Sequence, residues 1–318
     1  MGVISDSHLA EWESTFGKES APNEMTVDKI QLAATTRLFS PAVFHEMARK
    51  GRSPIFARLI NEIGTEKFEC TTKVSDVFNA RFKSIDVPGY RDEYVYKSAI
   101  TKNILLGRHS LNTASMLTEV RVDGNKADIV VLNGTSTVYE IKSERDSLVR
   151  LPQQLESYRR AFASVNVITS EVHAKRVIEI APADTGVLIL NRRGSISEIR
   201  KAQSNAERID PVTLFGVLRI NEAIDALEQI GVFVPKVANT QRFSVVRNLF
   251  LSQEPSAIHS ACLAVLRRSR TQSGLKEFLS KLPFSLQAAG ISISIKKGDQ
   301  SRLLQAIDTP FIEAKNWT

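Results

Sequence analysis

Asp128, Glu140 and Lys142 are the residues of this chain whose types and spacing can do chemistry together. They lie in the stretch KADIVVLNGTSTVYEIKS, residues 126–143, where two β-rich runs flank Asn133-Gly134. Asn-Gly between such runs is a strong hairpin signal, because both residues tolerate positive φ. Asp128 and Glu140 are equidistant from Gly134, so strands that pair around this turn set the two carboxylates opposite one another. Side chains alternate along a strand, which keeps Lys142 on the face of Glu140 and sends Tyr139 and Ile141 to the other. Two acids and an unpaired lysine on one patch suit a hard divalent cation. Mg²⁺ takes carboxylate, water and phosphate oxygens, and Mn²⁺ is expected to substitute. Such an ion polarises a phosphodiester and acidifies a bound water, while Lys142 orients that water or offsets the developing charge. The competing reading is a surface ion pair on an amphipathic hairpin, contributing about 1 kcal/mol or less.

The elements around the hairpin decide between these readings. Helical spacing over residues 90–106, ended by Gly107, precedes strands expected at 117–122, 127–132 and 137–143. Leu151, Leu155, Tyr158 and Phe162 then form one stripe of a helix with Pro152 in its first turn. A buried strand at 165–169 completes an α-β-β-β-α-β order, and a helix around 172–178 and a strand at 187–190 follow it.

Asp128…Glu140-x-Lys142 within that order resembles the PD-(D/E)XK superfamily, the restriction-endonuclease-like nucleases. Gln154-Leu155-Glu156-Ser157-Tyr158 is similar to the Q-x₃-Y motif that follows the catalytic lysine in RecB-type exonucleases. Gln154 and Tyr158 are one helical turn apart and project together. The combined stretch also resembles a small family of largely uncharacterised bacterial proteins, and a bacterial or phage-related source is what this implies. The resemblance covers residues 88–192. It implies a Mg²⁺-dependent nuclease, acting on DNA, in which Asp128 and Glu140 hold the metal and Ile141 lends its backbone carbonyl. Lys142 would be the catalytic lysine, with Gln154 and Tyr158 steadying the substrate or the site. The residue before Asp128 is Ala127 rather than the motif's proline.

A further acid is expected from the helix before the strands, or from the first strand. Glu93 fits the first description and competes with an i,i+4 ion pair to Lys97. Glu119, beside Arg121, fits the second, and we lean towards Glu93. Glu144 and Asp146 read as turn residues, with Asp146 or Ser147 capping the next helix. Arg159 and Arg160 read as a solvated helix face with some potential for phosphate contact, and His109 as structural.

Composition bounds the rest. Hydrophobic residues make up 42% and charged residues 24% of 318, ordinary for a globular protein. No apolar run approaches a membrane span, and MGVISDSHLAEWEST resembles neither a secretory signal nor a myristoylation site. Two distant cysteines, Cys70 and Cys262, fit a reduced cytoplasm, and five scattered histidines argue against zinc. The formal charge of +7 is uneven: residues 1–85 are balanced, 86–200 carry +2 and 201–318 carry +5. The expected organisation is a helical N-terminal segment (1–85) that begins with a loose arm (1–25), a nuclease core (86–200) and a mostly helical basic segment (201–318). Residues 201–211 read as a linker. Residues 74–82 read as a packing helix rather than a DNA reader. Arg267, Arg268 and Arg270 are the expected electrostatic grip on nucleic acid, and the C-terminal helices a candidate protein-binding surface. A nuclease fold that binds nucleic acid without cutting it is the alternative.

Overall fold

Proline and serine open the first helices where the sequence places them. The structure, a computed structural model, describes residues 29–64, 68–69 and 71–318; the arm expected over residues 1–25 and Cys70 lie outside this set. Helix α1 (Lys29–Leu38) leads to α2 (Pro41–Lys50) and α3 (Pro54–Ile63), the latter two with proline in the first turn, where no amide partner is required. Ser53 caps α3 by accepting from Phe56 N at 3.1 Å, whereas Ser40 precedes α2 without a side-chain bond. Helix α4 (Val74–Ile85) buries Val77, Phe78 and Phe82, the packing role expected of it. Helix α5 (Glu93–Ile100), capped by Asp92, runs on into a π-helical stretch, Thr101–Leu105. Gly107 ends it because a Cβ there would meet the Lys102 carbonyl oxygen at 2.8 Å.

Alternation and turn chemistry then give six strands: β1 (Ser115–Val122), β2 (Asn125–Leu132), β3 (Ser136–Lys142), β4 (Ser164–Thr169), β5 (Gly186–Leu190) and β6 (Ile196–Arg200). They form one sheet in sequence order. β1, β2 and β3 are antiparallel, β3, β4 and β5 parallel, and β6 returns antiparallel at the edge. Parallel neighbours need crossovers, supplied here by α6 (Leu151–Arg159) and α7 (Glu171–Ile180). The observed order from α5 to β5 is α-β-β-β-α-β-α-β, a mixed α/β arrangement. Strand β6 was not expected: its sequence, ISEIR, is short, only partly buried and carries no run of β-branched residues.

Both faces of the sheet are covered. Ile129, Val131, Tyr139 and Ile141 join one core with Phe44 and Phe78 from the first helices and Leu286, Leu303 and Phe311 from the far end of the chain. The two ends of the described chain therefore share a core. On the opposite face Val130 and Val138 pack with Leu155 and Tyr158 of α6. The helices α8 (Pro211–Val217), α9 (Ile220–Gln229), α10 (Asn239–Leu251) and α11 (Pro255–Ser269) build a third core around Phe215, Leu227 and Phe250. Val217 and Leu266 lay this unit against the α6 face of the sheet. Shorter helices α12 (Lys276–Ser280) and α13 (Gln287–Ser292), then α14 (Lys297–Asp308) and α15 (Phe311–Ala314), complete the mostly helical C-terminal part. The stretch before α8 has no helix or strand, as expected, yet it is pinned: Arg208 pairs with Asp184, and Asp210 caps α8.

Candidate metal centre

The β2–β3 hairpin has the register its symmetry predicts. Ile129 pairs with Tyr139 and Val130 with Val138, so the next step along places Asp128 across from Glu140. Alternation then puts Asp128, Glu140 and Lys142 on the α6 face, while Tyr139 and Ile141 enter the opposite core.

Strand β1 brings the third acid. Its register runs Thr118 to Ile129 and then Val120 to Ala127, leaving Glu119 beside Asp128. Glu119 has φ of 58°, a left-handed backbone that a non-glycine residue adopts at a cost of about 1–3 kcal/mol. Around it the alternation breaks: Met116 belongs to one core, Val120 and Val122 to the other. Helix α5 supplies Glu93 from its first residue. Glu93, Glu119 and Asp128 each offer one carboxylate oxygen, all within 4.8 Å of one another. Glu93 and Glu119, weighed as alternatives, both come within reach of Asp128.

Two lysines hold these charges in place. Lys97 Nζ lies 2.5 Å from Glu93 Oε1 and 3.0 Å from Glu119 Oε1, so the ion pair weighed against a metal role for Glu93 coexists with the cluster. Lys126 pairs with the other Glu119 oxygen. Burial alone would lower the Lys97 ammonium, but Glu93 and Glu119 outweigh it and hold its pKa above the usual range. Burial pulls Glu119 up, and the two lysines more than reverse this. Lys126 did not stand out in the sequence. The i,i+4 spacing of Glu93 and Lys97 was visible; their meeting with Glu119 is tertiary.

Glu140 and Lys142 form the deeper half of the site. Glu140 is 1% exposed, and its Oε1 accepts from Lys142 Nζ at 2.6 Å. Lys142 is therefore not the unpaired lysine expected: in a buried position its ammonium takes the nearest carboxylate. Among the described residues, Glu140 Oε2 and Gln154 Oε1 are buried with no hydrogen-bond partner. Burial raises the Glu140 pKa, although Lys142, Tyr158 and Gln154 pull it down. Burial, and then the charges of Glu140 and Glu93, raise Asp128 against the pull of the Ile141 amide, which donates to Asp128 Oδ2 at 2.7 Å. Two carboxyls that both resist ionisation in proximity are short of positive charge. Tyr158 donates to the Lys126 carbonyl at 2.9 Å, tying α6 to β2.

Other candidates fall away from this centre. Glu144 accepts from Tyr96 and from Gly89 N, and Asp146 accepts from both Ser143 N and Oγ, folding back rather than capping the next helix. Arg159 pairs with Glu156 and Asp184, and Arg160 with Asp123 and Asp210, so neither lies open for phosphate. His109 Nε2 sits 2.8 Å from Asn133 Nδ2, bracing the hairpin turn. Arg270 is not a free cation: it fastens α11 to Glu222 of α9 and to the Val217 carbonyl.

The donor set is all oxygen, which fits a hard cation such as Mg²⁺. The unpartnered Glu140 oxygen beside Asp128 agrees with it. Fold and site together define a mixed α/β protein with an acidic cluster where the start of α5 meets β1 and β2. The chain belongs to the family described as bacteriophage P4 protein cII, whose profile matches residues 88–292 and so spans the sheet, the cluster and helices α8 to α11. Protein cII of Enterobacteria phage P4 is 25% identical over 173 residues, 53% of this chain and 58% of that protein. The chain thus spans less than two thirds of that relative. A solved structure of a protein of unknown function from Silicibacter pomeroyi, SPO1766, matches at 16% identity with a TM-score of 0.25, covering 49% of this chain and 80% of that one.

Proposed function

We propose that this chain is a metal-dependent nuclease with a restriction-endonuclease-like core that hydrolyses phosphodiester bonds, in DNA, by attack of water. The observation that carries the reading is the buried Glu140, with one oxygen on Lys142 and the other without a partner, across a hairpin from Asp128. A Mg²⁺ ion held by Asp128, Glu119 and Glu93, with Glu140 and the Ile141 carbonyl close by, would supply Lewis acidity and an acidified water. Lys142 places a positive charge where the phosphoryl oxygens gain negative charge. Tyr158 ties α6 to the hairpin through the Lys126 carbonyl, and Gln154 would steady the site from one turn earlier on the same helix. Hydrolysis forms a new P–O bond to water and breaks one P–O bond of the backbone, with the leaving oxygen taking up a proton.

A second reading, a nucleic-acid-binding module without turnover, has one observation in its favour. Lys97, Lys126 and Lys142 already pair with Glu93, Glu119 and Glu140, so the charges are largely offset without a metal. Incubation of the purified protein with linear, circular and single-stranded DNA and with RNA, in Mg²⁺ or Mn²⁺, separates the two. Cleavage is expected, and is expected to vanish with EDTA and in Asp128→Ala, Glu140→Ala and Lys142→Ala, each checked for folding by circular dichroism. Undiminished cleavage in EDTA or by Lys142→Ala refutes the mechanism. Binding without cleavage in every condition supports the module.

A further inference from the structure

Of the expected basic grip, Arg270 is committed to Glu222, while Arg267 donates to the Thr113 carbonyl and Arg268 lies 3.7 Å from Asp225 at the surface. The positive charge of the C-terminal part is freer elsewhere. Residues 229–253 contain Lys236, Arg242 and Arg247 and no acidic residue. Arg242 donates to the Asn221 amide oxygen, and among the described residues Lys236 and Arg247 make no ion pair.

Two aromatic rings stand out of the same segment. Phe233 is 82% exposed and Phe243 61%. Phe233 lies between Val232 and Val234, which both pack against the third core, in the segment without helix or strand between α9 and α10. Phe243 is fixed by an edge-on contact with Phe215 at 5.5 Å, which leaves its remaining surface open. The first six residues of α10, Asn239 to Ser244, are all exposed.

We infer that Phe233, Phe243, Lys236, Arg242 and Arg247 form a stacking surface for single-stranded nucleic acid. Separated rings among cations match that ligand: each ring takes one unstacked base, and the cations track the phosphates between them. A duplex keeps its bases stacked and offers the rings nothing. A protein interface would instead want contiguous apolar area and few lysines at its centre, whereas polar and basic residues intervene here between the two phenylalanines. The unit lies on the α6 face of the sheet, the face that carries Asp128 and Glu140. The inference deepens the nuclease reading and rests on its nucleic-acid partner, but not on cleavage.

The test is fluorescence anisotropy with the whole chain, in EDTA, using labelled oligodeoxythymidylate, oligouridylate and a blunt DNA duplex of equal length. Single strands are expected to bind more tightly than the duplex, and comparison of the first two tells DNA from RNA. Phe233→Ala and Phe243→Ala are each expected to weaken single-strand binding about tenfold with the salt slope unchanged. Lys236→Ala and Arg247→Ala are expected to flatten the log–log salt slope by about 0.7 each. Unaltered binding in the double phenylalanine variant, tighter binding of the duplex, or a change in sedimentation instead of oligonucleotide affinity each overturns the inference. A chain that cuts DNA in Mg²⁺ but binds normally without the two rings refutes the surface and leaves the nuclease reading standing. Loss of binding with no cleavage in wild type does the reverse.

Discussion

Glu140 and Glu222 are both buried glutamates facing a cation, at 1% and 4% exposure, and they are opposites. Glu222 fills every acceptor position. Its Oε1 takes Ser269 Oγ and Arg270 Nε, and its Oε2 takes Arg219 N and Arg270 Nη2. Burial alone would raise its pKa, but these donors outweigh burial and hold it at about 2. Among the described residues Glu140 has one hydrogen-bond donor, one oxygen without a partner and a second carboxylate nearby, and burial raises it. A charge satisfied on all sides fastens helices. One left short of donors is prepared for something else to arrive.

The largest effect should come from the fastened pair. Glu222→Gln leaves Arg270 buried without a counter-charge and is expected to cost about 3 kcal/mol, the lower end for such a loss because Arg270 keeps 17% side-chain exposure. Urea unfolding at neutral pH measures it. Because the folded pKa of about 2 lies below the ordinary value of 4.5, the stabilisation is fully present above 4.5 and fades as pH falls towards 2. Wild type and Glu222→Gln should therefore converge in stability over that window. A constant gap down to pH 2 would mean that Glu222 acts through packing alone.

Glu140→Gln should behave differently in the same urea experiment. It weakens the pairing of Lys142 but removes a charge that opposes ionisation of Asp128, and the two changes offset each other. The expected change at neutral pH is under about 1 kcal/mol in either direction. The pH dependence also inverts. A carboxyl whose folded pKa is raised loses stability as pH climbs through its unfolded value, so acidification from neutral should relieve the wild-type site more than the variant's. If Glu140→Gln costs as much as Glu222→Gln, the contrast between the two glutamates is gone.

The sequence carried the hairpin and not its surroundings, for a physical reason. Asp128, Glu140 and Lys142 are separated by a turn and a period of two, so local geometry alone places them. The same holds for Gln154 and Tyr158, one turn apart on α6. Glu119 was legible as an acid on β1, but no residue pattern announces its left-handed backbone. Arg270 looked like a surface cation because charge in sequence says nothing of the partner; Glu222 is 48 residues away. Lys142 looked unpaired because alternation gives its face but not its rotamer. Strand β6 escaped because an edge strand needs only a neighbour to pair with.

Lys97 gives the finest test of what the cluster is for. Its ammonium bridges Glu93 and Glu119 with 16% side-chain exposure, where a divalent cation held by those acids and Asp128 would compete with it. If the cluster is a cation site, Lys97 is the internal substitute that keeps it intact between binding events. Lys97→Met then leaves Glu93, Glu119 and Asp128 with only Lys126 as a paired cation, so the variant should be less stable than wild type in EDTA, by about 1 kcal/mol. With that competitor removed, Mn²⁺ should bind more tightly, by several fold, and raise the melting temperature of the variant more than that of wild type. Calorimetric titration with Mn²⁺ and paired melting curves read both effects without any assay of cleavage. A structural ion pair gives another pattern: lower stability in EDTA that Mn²⁺ does not restore. That outcome would place Glu93, Glu119 and Lys97 with Glu222 and Arg270, among the charges that fasten the fold.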